Sequence, residues 1–330
     1  LSRFLCYILV LCCIATNAQE NLVPNGSFEI ITQCPDYQSE NLIGGSRLEY
    51  ATGWFYPTSG SSDLFNSCND TISQCCAGHV GVPENVFGFQ YPFHGQGYAG
   101  FGVWENNSPP ESYTEYVSVE LNRGMIAGEE FKVRFYLSLS NESTHGVTGI
   151  GVWFSVSSPA TSQTTLISKK PQIVNAAIVY SDTSFWQLFE GYYSATGCEN
   201  FMTIGYFKEG LDDTFFVQSP DSTQLGLTLC YYYIDSVSVD LIGYSEGSKG
   251  INVFSPNDDG VNDTFSPSVA GTMYVYNRWG QVVWIGDGAW DGKNKEGKDC
   301  LGGVYFYTIN SDCTTNTQGY GIRGTVHLFR

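Results

Sequence analysis

Apolar and polar residues alternate strictly in several short runs along this chain. The clearest are Tyr116–Leu121 (YVSVEL), Phe131–Leu137 (FKVRFYL), Ile150–Val156 (IGVWFSV), Phe201–Phe207 (FMTIGYF) and Tyr233–Val239 (YIDSVSV). A period of two sends successive side chains to opposite faces, so each run predicts a half-buried antiparallel strand. Gly, Pro, Asn and Ser punctuate the spaces between them, as turns require. A set of this size between Asn21 and about Gly243 predicts a two-sheet β-sandwich. No stretch carries the wider period of a long amphipathic helix. The alternation breaks at residues 244–250, a short Gly- and Ser-containing linker, and resumes in a second β region over residues 251–330. The fold class expected is therefore all-β, in two parts.

Composition refines this picture. The 330 residues include 37 glycines, 42% hydrophobic residues and only 15% charged ones, which describes globular β structure with enough chain for two cores. A formal net charge of −18 sets the chain against nucleic acid and anionic lipid, because the cationic stripe that phosphate binding needs is absent. Residues 1–18 combine Arg3, an apolar run from Phe4 to Ala15 and the small-residue ending Thr16-Asn17-Ala18, the pattern of a secretory signal peptide cut after Ala18. No later segment reaches the roughly 18 apolar residues of a membrane-spanning helix. A secreted or cell-surface location follows.

Three of the 11 cysteines fall within that leader, and the even remainder in an exported chain predicts disulfides, with connectivity open. Cys300 and Cys313 are a tempting pair, but the strand expected between them would hold them apart. A zinc site is not supported, because the mature chain has no Cys-x-x-Cys and its four histidines are scattered. Two catalytic-looking matches also lack their context. Gly243-Tyr244-Ser245-Glu246-Gly247 has no following helix, and Gly95-Gln96-Gly97-Tyr98-Ala99-Gly100 has no crossover helix, so the first reads as linker and the second as the start of a glycine-rich strand.

The ends of the front domain carry a resemblance. Asn21-Leu22-Val23-Pro24-Asn25-Gly26-Ser27-Phe28-Glu29, then Gly53-Trp54, and finally Tyr231-Tyr232-Tyr233-Ile234-Asp235-Ser236-Val237 resemble the first and last strands of jelly-roll carbohydrate-binding modules and their galactose-binding-like relatives. The resemblance implies a jelly-roll sandwich over 19–243, with its terminal strands side by side. It also implies a structural Ca²⁺ held in part by Glu29 and Asp235. The chemistry agrees, since Ca²⁺ takes six to eight oxygens and two carboxylates with backbone carbonyls supply several.

The second β region carries five motifs in order: Pro256-Asn257 through Gly260, Asn262 and Asp263; Asn277-Arg278-Trp279-Gly280; Trp290-Asp291-Gly292; Gly303-Val304-Tyr305-Phe306-Tyr307; and Gly324-Thr325-Val326-His327-Leu328. Together they resemble the gliding-motility-associated C-terminal domain, the type B sorting domain of type IX secretion. The resemblance implies a small Ig-like β-sandwich over 251–330, with the type IX secretion machinery as its partner. Trp279 is large enough to cap the small core of this domain. Asp259 and Asp263 lie in an oxygen-rich turn that suits either Ca²⁺ or a solvated loop held by Asx side chains.

For the front domain the expectation is binding rather than catalysis, with no catalytic residue assigned. Aromatic residues crowd the stretch after Phe87, and sugar recognition pairs ring faces with placed polar groups. The candidate platform is Tyr91, His94, Tyr98 and Trp104, the ligand being an extracellular or cell-surface polysaccharide. A surface adhesin or matrix protein without a small ligand is the alternative, and a polysaccharide hydrolase the more distant one. The latter lacks a recognisable carboxylate pair or an activated nucleophile.

Overall fold

The computed structural model describes residues 21–35, 48–69, 79–105, 114–160, 166–207, 214–219, 222–223, 228–244, 252–266, 271–310 and 321–330. Residues 1–18, where a signal peptide is expected, and Cys75, Cys76, Cys313, Ser245 and most of the expected linker 244–250 lie outside them. Among the described residues no helix is long and apolar enough to cross a membrane.

Strands of the front region are β1 (Trp54–Phe55), β2 (Asp63–Asn66), β3 (Glu84–Asn85), β4 (Gly88–Phe89), β5 (Gly97–Glu105), β6 (Tyr116–Glu120), β7 (Glu129–Leu139), β8 (His145–Val147), β9 (Ile150–Ser155), β10 (Ile173–Val174), β11 (Gln187–Ser194), β12 (Phe201–Tyr206), β13 (Thr214–Phe216) and β14 (Leu229–Tyr244). Two five-stranded antiparallel sheets, ordered β1-β6-β12-β9-β10 and β11-β7-β14-β5-β2, form the sandwich. Each of the five alternating runs lies on one of these strands.

The core fills the space between the sheets, and β7 shows how alternation builds it. Phe131, Val133, Phe135 and Leu137 point inward and are fully buried, while Lys132, Arg134 and Tyr136 face outward. Phe135 meets Phe189 of β11 across the ladder, their rings stacked 4.2 Å apart. A second buried cluster, Phe65, Tyr98, Tyr231 and Tyr233 with Val80 and Val82, lies apart from this core, with Phe87 and Trp186 packed against it.

The expected adjacency of first and last segments is present. Leu22 N–H donates to Val239 O at 2.9 Å and Val237 N–H to Gly26 O at 2.8 Å. The approach is so close that a Cβ on Gly26 would sit 2.1 Å from Val237 O, which leaves room for glycine alone.

The C-terminal region has β15 (Val253–Phe254), β16 (Thr272–Tyr276), β17 (Val282–Asp287), β18 (Gly303–Asn310) and β19 (Gly321–Leu328). They form one five-stranded sheet, ordered β15-β19-β18-β16-β17, with β15 parallel to β19 and the rest antiparallel. Its core gathers Phe254, Phe265, Met273, Val275, Trp290, Tyr305, Ile309, Val326 and Leu328. Phe265 and Trp290 bridge each other's backbones outside the sheet, and the Trp290 indole N–H is satisfied by Lys293 O at 2.8 Å.

Two expectations are corrected here. Trp279 does not cap this core: it stands on the β16–β17 turn, 78% exposed, with the Arg278 guanidinium 5.7 Å from its ring centre. Asn277 Oδ1 holds that turn by accepting from Trp279 and Gln281 N–H, so the residue that fills the core is Trp290. The cysteines are not all paired. Cys34 bonds to Cys68 and Cys198 is also disulfide-bonded, whereas Cys230 and Cys300 are buried free thiols. Cys230 sits among the apolar side chains of the main core, where it packs as a small hydrophobe and burial pushes its thiol up.

The acidic turn is braced by its own Asx side chains. Asp263 accepts from the N–H groups of Asn257, Asp258 and Gly260 at 2.8 to 3.0 Å, using both oxygens. Burial works against this carboxylate, but the amide donors outweigh it and hold its pKa down. Asp259 is occupied in the same way, accepting from Val261 N–H and Asn257 Nδ2.

Candidate functional site

The site is assembled where the first segment, the loop before β5 and a bulge in β14 meet. Across the β7–β14 ladder Asp235 faces Tyr136 and Ser238 faces Arg134, so β14 carries one extra residue over this interval. Ser236 takes a positive φ of 52° there. Such a bulge changes which face each residue occupies. Ile234 and Val237 both reach the core although they are three apart, and Asp235 is fully buried at the seam between them.

Asp235 Oδ2 accepts the N–H of His94 at 2.9 Å, and Oδ1 accepts that of Ser236. Desolvation pushes its carboxyl up to about 7, opposed by the amide donors of His94, Ser236 and Phe93 and reinforced by the charge of Glu29. Glu29 arrives from the other side. The buried Phe28 ring packs 4.6 Å from Trp54, whose indole N–H donates to Asn25 O at 3.0 Å, fixing the turn that precedes Glu29. Glu29 Oε1 then accepts from Gln96 and Gly97 N–H at 2.9 and 3.0 Å. Gly95 lies directly beneath, with φ of 75° and a position where any Cβ would come within 2.2 Å of the Glu29 carboxyl carbon. The glycine-rich match of the sequence is thus a seat for a carboxylate.

These residues fit a hard cation. Asp235 is a buried carboxylate beside a second carboxylate, and Glu29 Oε2 accepts no hydrogen bond among the described residues. Among the same residues no three His, Cys, Asp or Glu side chains converge on a metal-sized position, so the remaining ligands would be carbonyls and water.

A cavity of about 360 Å³ opens beside the seam, lined by Asn21, Ser27, His94, Arg134, Tyr136, Ser236 and Ser238 with Gly26 and Val237. Arg134 is held in place by Asp240, 2.8 Å away. Phe93 stacks on Tyr136 at 3.6 Å and 17°, forming a two-ring wall, and remains 45% exposed.

The expected platform residues divide. Tyr91 is 62% exposed, its ring edge-on to Phe89 at 5.2 Å, and its carbonyl anchors the Trp186 indole N–H at 2.9 Å. His94 lines the cavity. Tyr98 is corrected: it is fully buried, donates to Gln90 O at 3.1 Å and accepts from Asn85 Nδ2 at 3.0 Å, so it supports the loop from below and offers no face to a ligand. The Trp104 side chain lies outside the described part of the chain. Sequence reasoning passed over Tyr136, Arg134, Ser236 and Ser238. The available signal was Tyr136 itself, a large ring on the polar face of an alternating strand.

The chain was compared with known proteins. Residues 249–325 match the CHU_C Type IX secretion signal domain. That match covers β15 to β18 and the first part of β19, and supports export to the cell surface or beyond. No curated protein matches the chain. Among solved structures the chain is similar to the CBM22-1 xylan-binding domain of Paenibacillus barcinonensis Xyn10C, at 15% identity over 70% of this chain and 100% of that one, TM-score 0.35. It is also similar to the K3 cleaved adhesin domain of Lys-gingipain from Porphyromonas gingivalis w83, at 12% identity over 66% of this chain and 96% of that one, TM-score 0.29.

Proposed function

We propose that this protein is an exported, non-catalytic carbohydrate-binding protein, carried by the type IX machinery through its C-terminal domain and binding polysaccharide through its front sandwich. The observation that carries the binding assignment is the Phe93–Tyr136 ring stack, whose Tyr136 lines a cavity with polar groups that are mostly amide, hydroxyl and imidazole, alongside the Arg134 guanidinium. A ring face suits the apolar face of a sugar, and such groups suit its hydroxyls. Tyr91 and His94 extend the platform along the same loop. None of the cavity-lining residues is a carboxylate, whereas glycoside hydrolysis uses two flanking the scissile bond, which favours binding over cleavage.

Glu29 and Asp235 are the proposed ligands of a structural Ca²⁺. Bound there, the ion supplies positive charge between two carboxylates that otherwise repel.

Retention of the full chain on a panel of insoluble polysaccharides tests the reading, with Phe93→Ala as the control that loses retention while its melting temperature stays within about 4 °C of the parent's. Binding to cells with no retention on any polysaccharide would favour the adhesin alternative.

A further inference from the structure

We infer that Glu29 and Asp235 link cation binding to carbohydrate binding, because the two carboxylates offered to the cation also fix the backbone of the loop that carries Phe93 and His94. The inference rests on the carbohydrate-binding reading above and adds a regulator to it, a divalent cation.

The connections are short and direct. Asp235 takes the amide hydrogen of His94, the residue after Phe93, and Glu29 takes those of Gln96 and Gly97. The five-residue stretch from Phe93 to Gly97 therefore hangs on two carboxylates, one from each end of the front sandwich. Phe93 forms the ring wall and His94 lines the cavity, so the surface a sugar meets is set by the same bonds. Gly95, at the centre, passes so near the Glu29 carboxylate that a Cβ there would lie 2.2 Å from its carboxyl carbon, so only glycine lets that side chain sit over the stretch.

Without a cation nothing bridges the two side chains, and one of them can turn away and release its amides. With a cation between them both stay in place and the loop keeps its seat. Linkage then runs both ways: a loop held against Tyr136 by bound sugar keeps both carboxylates in register for the cation.

Two measurements on the full chain test this. Hydrogen exchange at the amides of His94, Gln96 and Gly97, followed in Ca²⁺ and in excess chelator, requires no sugar. The expected result is at least about tenfold slower exchange in Ca²⁺, the size of a typical coupling. Equal exchange in the two conditions overturns the linkage. Retention on the polysaccharide panel is then measured in Ca²⁺ and in chelator for the parent chain and Glu29→Gln. The parent is expected to lose affinity by about tenfold in chelator, and Glu29→Gln to bind at that weaker level in both. A parent that binds equally well in both conditions overturns the linkage while leaving the carbohydrate reading intact. A parent that binds no polysaccharide, yet shows slowed exchange in Ca²⁺, overturns the carbohydrate reading and supports the linkage with a different ligand.

Discussion

The ring of Phe93 lies 3.6 Å from that of Tyr136, 17° from parallel, although the two are joined only through the fold. One comes from a loop and the other from the outward face of β7, where Tyr136 lines the cavity with Phe93 stacked on it. Replacing Phe93 by Ala removes an aromatic pair worth about 0.5–1.5 kcal/mol beyond its area. Because Phe93 is partly exposed, the fold should lose no more than about 1 kcal/mol, and polysaccharide retention should fall by far more than stability does. Retention unchanged from the parent would exclude this wall as the binding surface.

Calcium should raise the melting temperature of the front sandwich. A ligand that binds only the folded state stabilises it by about 2.7 kcal/mol at 100 times its dissociation constant. Calorimetry in Ca²⁺ and in chelator should show the difference for the parent chain, and Asp235→Asn should show a much smaller one. A parent transition that ignores chelator would count against the seam as an ion site.

Glu199 provides a pH test away from the seam. Burial works against its charge, yet bonds from Thr196 and from the Tyr193 hydroxyl at 2.6 Å outweigh burial and hold the carboxyl below its ordinary range. Tyr193 is correspondingly pushed up to about 12, first by burial and then by Glu199. A carboxylate whose folded pKa is depressed adds stability above its unfolded pKa, and loses it as pH falls through the folded value. Glu199→Gln should therefore cost about 1–3 kcal/mol at pH 7, because it sets an amide against several donors. The gap between parent and variant should shrink below about pH 4, near the ordinary carboxyl range. Denaturant melts at pH 7 and pH 3 that give the same gap would refute the assignment.

The two motif tryptophans of the C-terminal domain should separate folding from recognition. Trp290 is fully buried, so Trp290→Ala should cost about 3–5 kcal/mol and leave the chain in the periplasm because the domain no longer folds. Trp279 is exposed, so Trp279→Ala should shift stability by less than about 0.5 kcal/mol. Fractionation is expected to show Trp279→Ala reduced at the surface despite its intact melting temperature, as a surface read by the machinery requires. Removal of residues 250–330 should abolish export altogether, and finding that truncation at the surface would refute the sorting role.

Much of this was legible in the sequence. Alternation located strands β6, β7, β9, β12 and β14, and the glycine-rich stretch marked the start of β5. The motifs from Pro256 to Leu328 marked the region that matches the type IX secretion signal domain. These features are local, or depend on spacing within a single segment, and a chain displays them before it folds.

The tertiary structure decided which rings are buried and which are offered to solvent. Tyr98 and Tyr136 both sit on strands in aromatic-rich surroundings, yet Tyr98 is buried with the Tyr231–Tyr233 cluster, apart from the main core, while Tyr136 faces the cavity. Period two assigns faces within a strand but does not say which outer surface a distant loop will cover. The bulge at Ser236 resets the parity of β14 midway and turns Asp235 to the seam, where it meets Glu29 from the opposite end of the domain. Both outcomes depend on contacts between residues far apart in the chain, and packing alone settles them.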